Sequence, residues 1–203
     1  MMGNSFLTNI SDSKTSPAGQ SEWLVKAKLE KATIDLKDPT ILKQLEMIGL
    51  TIEELQLAKS IQPLIAQHID EIISGFYQTI INVEELRTII LEHSTIERLR
   101  TTLEIHLIEM FNGQIDGKFL YKRIRIADVH CRIGLEPKWY MGALQNVQNM
   151  LLDIVHRYVE HSEERIRISK VMTKILNFEQ QIVLEAYEKA NMHQEKSNRN
   201  MPN

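Results

Sequence analysis

Apolar residues recur at intervals of three and four along most of the chain, which is the spacing of one face of an α-helix. Ile69, Ile72, Ile73, Phe76, Tyr77, Ile80 and Ile81 form one broad face. Ile96, Leu99, Leu103, His106 and Met110 form a narrower one. A third stripe runs through Trp139, Tyr140, Leu144, Val147, Leu151, Ile154, Val155 and Tyr158, and a fourth through Ile168, Val171, Met172, Ile175, Phe178, Ile182 and Leu184. The period-two alternation of a strand is not evident in the chain.

Punctuation between the stripes divides them into helices. Asp38 followed by Pro39 opens a short helix that Gly49 ends after Ile48. Thr51 and Glu54 have the spacing of a capping box, and Pro63 is expected to kink or split the helix they open. A shorter helix is predicted from Val83 to about Leu91. Ser94 and Glu97 form a second capping box, opening a helix to about Phe111, and Gly113 closes it. The next runs from Asp116 to Ile133 and stops at Gly134. Pro137 restarts the chain to about His161, and the last helix spans about Glu163 to Ala190. Trp23 to about Leu36 reads as a loose helix. Residues 1–20, rich in Ser, Thr, Asn and Gly, read as disordered, and 191–203 as a polar tail, leaving one domain over 21–190.

Composition narrows the class. The chain has 203 residues with 43% hydrophobic, 8 Gly and 5 Pro, which suits an all-α domain with a sizeable core. Its net charge is -3, so no basic surplus points to nucleic acid. The single cysteine, Cys131, excludes an internal disulfide framework and a cysteine-based zinc site, and fits the reducing cytoplasm. No apolar run approaches the ~20 residues of a membrane span, and the N-terminus lacks the pattern of a signal peptide.

His130 is the residue that invites a chemical reading. Ile126, Ala127, His130 and Ile133 share one helix face, which sets a lone imidazole in an apolar stripe. Burial of such a group is costly without a partner, and a metal is one such partner. By spacing alone, a hydrogen-bonded core histidine is the commoner explanation of the pattern.

The surrounding residues add a resemblance. The run RIRIADVHCRIGLEPKWYMGA, from Arg123 to Ala143, resembles the proximal-histidine region of the globin-coupled sensors and is similar to the haem-based aerotaxis transducers of bacilli. GFYQ at 75–78, HSTIERLRTTL at 93–103 and TKILNFEQQIVLEA at 173–186 agree with it, so the likeness spans roughly residues 38 to 190. It implies an all-α globin fold of the sensor-globin type with an extra N-terminal helix. It also implies haem b (iron protoporphyrin IX), with His130 as the proximal iron ligand and the Ile126 carbonyl as acceptor for its second nitrogen. Tyr77 matches the family's distal tyrosine, Thr102 a distal threonine, Leu99 a neighbour that limits access, His93 a position near the haem propionates, and Tyr140 a proximal-side tyrosine. Apart from the resemblance, Tyr77 reads as a core tyrosine, Thr102 as a hydroxyl bonded back along its helix, and His93 as a surface histidine. His106, one turn past Thr102, is a possible competing distal ligand. Trp139 and Cys131 read as packing, and Lys122, Arg123 and Arg125 as a charged outer helix face, with a propionate pairing of any one of them as the alternative.

The functional expectation is a non-enzymatic sensor that binds a diatomic gas, oxygen first, opposite His130. Signalling is expected through helix rearrangement, in a homodimer built on the last two long helices. Aerotaxis transducers continue into a long signalling domain where this chain stops at Asn203, so output calls for a longer protein or a separate signalling partner. Two other classes remain: a gas-consuming haem enzyme such as a nitric oxide dioxygenase, and a haem-free helical interaction module. The first needs electron supply, and no flavin or nicotinamide fingerprint appears. The second is disfavoured by the joint presence of His130, Tyr77 and Thr102.

Overall fold

The computed structural model describes residues 31–199. A three-residue strand β1 (Thr33–Asp35) leads into helices α1 (Pro39–Ile48), α2 (Ile52–Gln67), α3 (Ile69–Ile80), α4 (Glu84–His93) and α5 (Ile96–Met110). A second strand β2 (Gln114–Asp116) precedes α6 (Gly117–Arg132), α7 (Pro137–Tyr158) and α8 (Ser162–Arg199). Helix α8 packs along α6, α7, α2 and α1, while α3 packs on α7 and α5. The result is an all-α globin fold of eight described helices.

Most boundaries follow from local chemistry. Asp38 accepts from the amides of Thr40 and Ile41, with Pro39 in the first turn of α1. Thr51 and Glu54 form the expected reciprocal capping box of α2. Gly49, at φ 63°, and Gly134, at φ 74°, take the left-handed conformation that releases the chain from a helix. Lys174 of α8 ties this corner down, donating to the Gly49 carbonyl at 2.6 Å and to the Glu54 carboxylate at 2.7 Å.

Several expectations need correction. Helix α2 is not split at Pro63: it continues to Gln67, with Ile61, Leu64 and Ile65 buried around the proline. The break falls at His68, which both caps α2 and starts α3. Thr95 rather than Ser94 caps α5, accepting from the Arg98 amide, so the second capping box is displaced by one residue and lacks its glutamate arm. Leu36 belongs to no helix; the segment before it pairs as β1 in parallel with β2, Ile34 opposite Ile115. The rest of the predicted loose helix, 23–30, lies outside the described residues, as do 1–20. Helix α8 runs past Ala190 to Arg199, so the residues read as a polar tail are helical up to that point, and 200–203 lie outside the description.

Among the described residues, Gly113 is the one glycine that both backbone and packing require. Its φ is 77°, and a Cβ there would stand 3.0 Å from the Lys59 Cβ and Cδ. Its carbonyl also accepts from Thr33, which holds β1 in place. Gly113→Ala is therefore expected to cost about 2 kcal/mol, the sum of left-handed strain and a tight contact, read as a lower urea midpoint with unchanged slope.

Candidate functional site

Helices α3, α4 and α5 face α6 and α7 across a cavity of about 430 Å³. The walls are mostly aliphatic and aromatic: Phe76, Ile80, Leu99, Leu103, Ile126 and Val147 among them. Each helix contributes the stripe that its periodicity set, so the cavity opens where those stripes fail to meet. Tyr77 comes from α3, His93 from the end of α4, Leu99 and Thr102 from α5, His130 from α6 and Tyr140 from α7, and all six line the cavity. Trp139 lines it as well, and Cys131 packs against the core without doing so.

His130 stands half-buried in the wall, its ring centroid 5.5 Å from that of Tyr140. Its Nδ1 is buried with no hydrogen-bond partner. The expected bond to the Ile126 carbonyl is not made; that carbonyl lies one turn back and already serves the helix ladder. Burial lowers the His130 pKa to about 4, with a further contribution from His106. The imidazole is therefore neutral at pH 7 and retains a lone pair. A neutral imidazole with an unmet buried nitrogen, facing an apolar cavity, matches what a porphyrin iron requires of its protein ligand.

The opposite wall carries hydroxyls. Tyr77 is 8% exposed, and burial pushes its phenol up to about 12 despite the nearby Arg100, so it is a proton donor at neutral pH. Thr102 donates to the Arg98 carbonyl at 3.0 Å, the back-bond along its helix, and keeps its oxygen as an acceptor. Tyr140 is buried with its phenol pushed well above its usual range by burial and by the Glu179 carboxylate.

His93 and Arg98 are both exposed and mark the solvent end of the cavity. Arg98 was not singled out from the sequence, although Arg98, Thr102 and His106 follow each other at i, i+4 and i+8 on one stripe. Lys122, Arg123 and Arg125 do not line the cavity. Arg123 is no part of an outer charged face: it is 1% exposed, with its Nε 2.9 Å from Glu179 and its guanidinium 3.6 Å from the Phe119 ring centre. Lys122 instead pairs with Glu109.

His106 lines the cavity, but its Nε2 lies 3.0 Å from Oε1 of the fully buried Glu179 on α8, an approach off the line of a good hydrogen bond. A second link to α8 starts at His130 itself. The His130 carbonyl accepts from the Leu135 amide at 3.0 Å, and the Leu135 carbonyl accepts from the Tyr187 hydroxyl at 2.7 Å. Tyr187 carried no sequence signal of its own, and the only hint at Glu179 is its place between Ile175, Phe178 and Ile182 on the apolar stripe of the last helix.

A neutral histidine with an unmet buried nitrogen in such a cavity, within eight described helices, is the arrangement of a globin. The protoglobin family model matches residues 37–193, well over half of the chain, and the chain belongs to that family. It is 26% identical over 164 residues to the heme-based aerotactic transducer HemAT of Halobacterium salinarum; the match covers 76% of this chain and 34% of that protein. The chain thus spans about a third of the length of that relative. Among solved structures it is similar to the globin domain of a Geobacter sulfurreducens globin-coupled sensor, with TM-score 0.68, 22% identity, and coverage of 72% of this chain and 96% of that one. The ferric globin domain of E. coli DosC gives TM-score 0.56, 14% identity, and coverage of 83% and 99%. No described helix is long and apolar enough to cross a membrane.

Proposed function

We propose that this chain is the haem-binding globin of a gas sensor, with haem b held by His130 and a diatomic gas, oxygen first, as its signal. The observation that carries the reading is the unmet, neutral His130 imidazole in an apolar cavity that also gathers Tyr77 and Thr102. Membership of the protoglobin family and likeness to an aerotactic transducer support it. Haem supplies the iron at which a diatomic gas binds. The protein's own residues do the rest. His130 would hold the group from α6, His93 and Arg98, exposed at the open end of the cavity, could pair with its carboxylates, and Leu99 would narrow the approach. Tyr77 offers a phenolic proton to the polar outer atom of a bound gas.

The test is an absorption spectrum of the haem-reconstituted protein, reduced and then exposed to oxygen. A five-coordinate ferrous form that converts to a stable oxy form supports the reading, and failure to take up haem refutes it. Tyr77→Phe removes one hydrogen bond to a partly charged acceptor, worth about 1.5 kcal/mol, and should speed oxygen release about tenfold in stopped-flow measurements.

Signalling is proposed to run into α8, a helix of 38 residues. The Leu135 and Tyr187 bonds couple the end of the His130 helix to it, so a shift of α6 changes the register of that contact. We further propose a cytoplasmic homodimer through α7 and α8, with output by a segment or partner beyond this domain. Much of the apolar face of both helices is buried within the one chain, leaving Ile166 and Leu184 of α8 exposed. Light scattering at micromolar concentration should give twice the 23.6 kDa chain mass; a monomer mass would sink the dimer.

A further inference from the structure

The geometry points to Glu179 as a positioning residue that keeps His106 from closing the gas site, an inference that rests on the haem reading above. Three imidazoles line the cavity: His93, His106 and His130. His106 follows Thr102 by one helical turn on α5, so it shares the wall that carries the distal hydroxyl. An unrestrained imidazole on that wall is a ready sixth ligand for a porphyrin iron. A site filled from within by its own histidine binds gas only after that bond is broken.

The structure sets this imidazole beside a carboxylate outside the cavity, in an approach off the line of a good hydrogen bond. Its Nε2, the ring nitrogen farthest from the backbone, is 3.0 Å from Glu179 Oε1, and Glu179 does not line the cavity. A nitrogen that keeps its proton toward a carboxylate has no lone pair to offer iron. The carboxylate is itself fixed. Its Oε2 accepts from Arg123 Nε at 2.9 Å, and Arg123 is backed by the Phe119 ring at 3.6 Å. Burial pushes the Glu179 carboxyl up, and His106 and Arg123 more than reverse this, so the group is ionised at neutral pH. The charged and titratable groups around the cluster are Arg123 from α6, His106 from α5, and Tyr140 from α7. A buried carboxylate set between a guanidinium and an imidazole thus draws His106 toward α8.

The experiment compares ferrous absorption spectra, without added gas, of haem-loaded wild type and three variants. Arg123→Met with Glu179→Leu removes the acceptor without stranding a buried charge. Most of that ferrous protein should turn six-coordinate, and adding His106→Leu should restore the five-coordinate spectrum. Glu179→Gln, whose amide oxygen keeps an acceptor beside Nε2, should stay five-coordinate. A five-coordinate double variant overturns the inference, and so does a wild type already six-coordinate through His106. Haem uptake by wild type is the separate check on the function itself. An independent readout needs neither haem nor a variant: ¹⁵N NMR of the apo wild type should show His106 Nε2 protonated at pH 7.5. An unprotonated Nε2 overturns the inference even if the variants fail to fold.

Discussion

Replacing His130 by alanine is expected to abolish the five-coordinate ferrous spectrum and to weaken haem uptake by at least about 100-fold. Loss of a mere supporting partner of a metal ligand costs about 10–100-fold, and here the ligand itself is lost. The expectation is specific to His130 among the three cavity imidazoles. His106 is engaged by Glu179, and His93 is exposed at the end of α4. His130 alone has a buried nitrogen without a partner and a pKa held near 4, mainly by burial. No proton then competes with iron at neutral pH. The backbone of α6 should survive the change, since His130 makes no side-chain hydrogen bond, so far-UV circular dichroism should be unaltered. Millimolar free imidazole should diffuse into the vacated space and restore the spectrum. A variant that keeps the wild-type spectrum unaided would move the ligand to another residue and overturn the assignment.

Arg123→Met is expected to destabilise the fold by about 3–5 kcal/mol, because it strands the Glu179 carboxylate in the core with one of its two partners gone. For a domain of this size that is a fall in Tm of roughly 6–20 °C. Adding Glu179→Leu should recover most of the loss, since replacing a whole buried ion pair by apolar groups is often near neutral. The pH dependence follows from the direction of the Glu179 shift. Its folded pKa lies below the usual 4.5: burial raises it, but His106 and then Arg123 lower it by more. A depressed carboxylate pKa stabilises the fold above 4.5 and loses that contribution as pH falls through the folded value. The gap between wild type and Arg123→Met should accordingly be widest at neutral pH and narrow below pH 4.5. A gap unchanged by acid would mean that Arg123 acts through packing alone.

These two residues divide what a reader of the chain can see from what it hides. His130 was visible because it interrupts an apolar stripe, and because the surrounding run has a family likeness. Arg123 was misread as solvated. Its neighbours Lys122 and Arg125 are charged, and local pattern assigns all three to one outer face. The hint lay far away, in Glu179, which sits among Ile175, Phe178 and Ile182 on the apolar stripe of the last helix. A carboxylate on a core face demands a buried cation, but periodicity cannot say which one. The strand pair escaped notice for a related reason. Three residues with one central isoleucine each carry no alternation, and their pairing joins positions about 80 apart.

The sequence by itself determined most of the helices, the caps at Asp38 and Thr51 and the stripe each helix turns inward, because those depend on residues three or four apart. With the family likeness it also named His130, Tyr77, Leu99, Thr102, His93 and Tyr140. Only the tertiary structure decided that these six share one cavity and that His106 is drawn to Glu179. It alone placed Arg98 at the open end and showed that the His130 helix is tied to α8 through Leu135 and Tyr187. Those facts join side chains tens of residues apart, and burial sets their energies, which the packing of helices creates and no local pattern records.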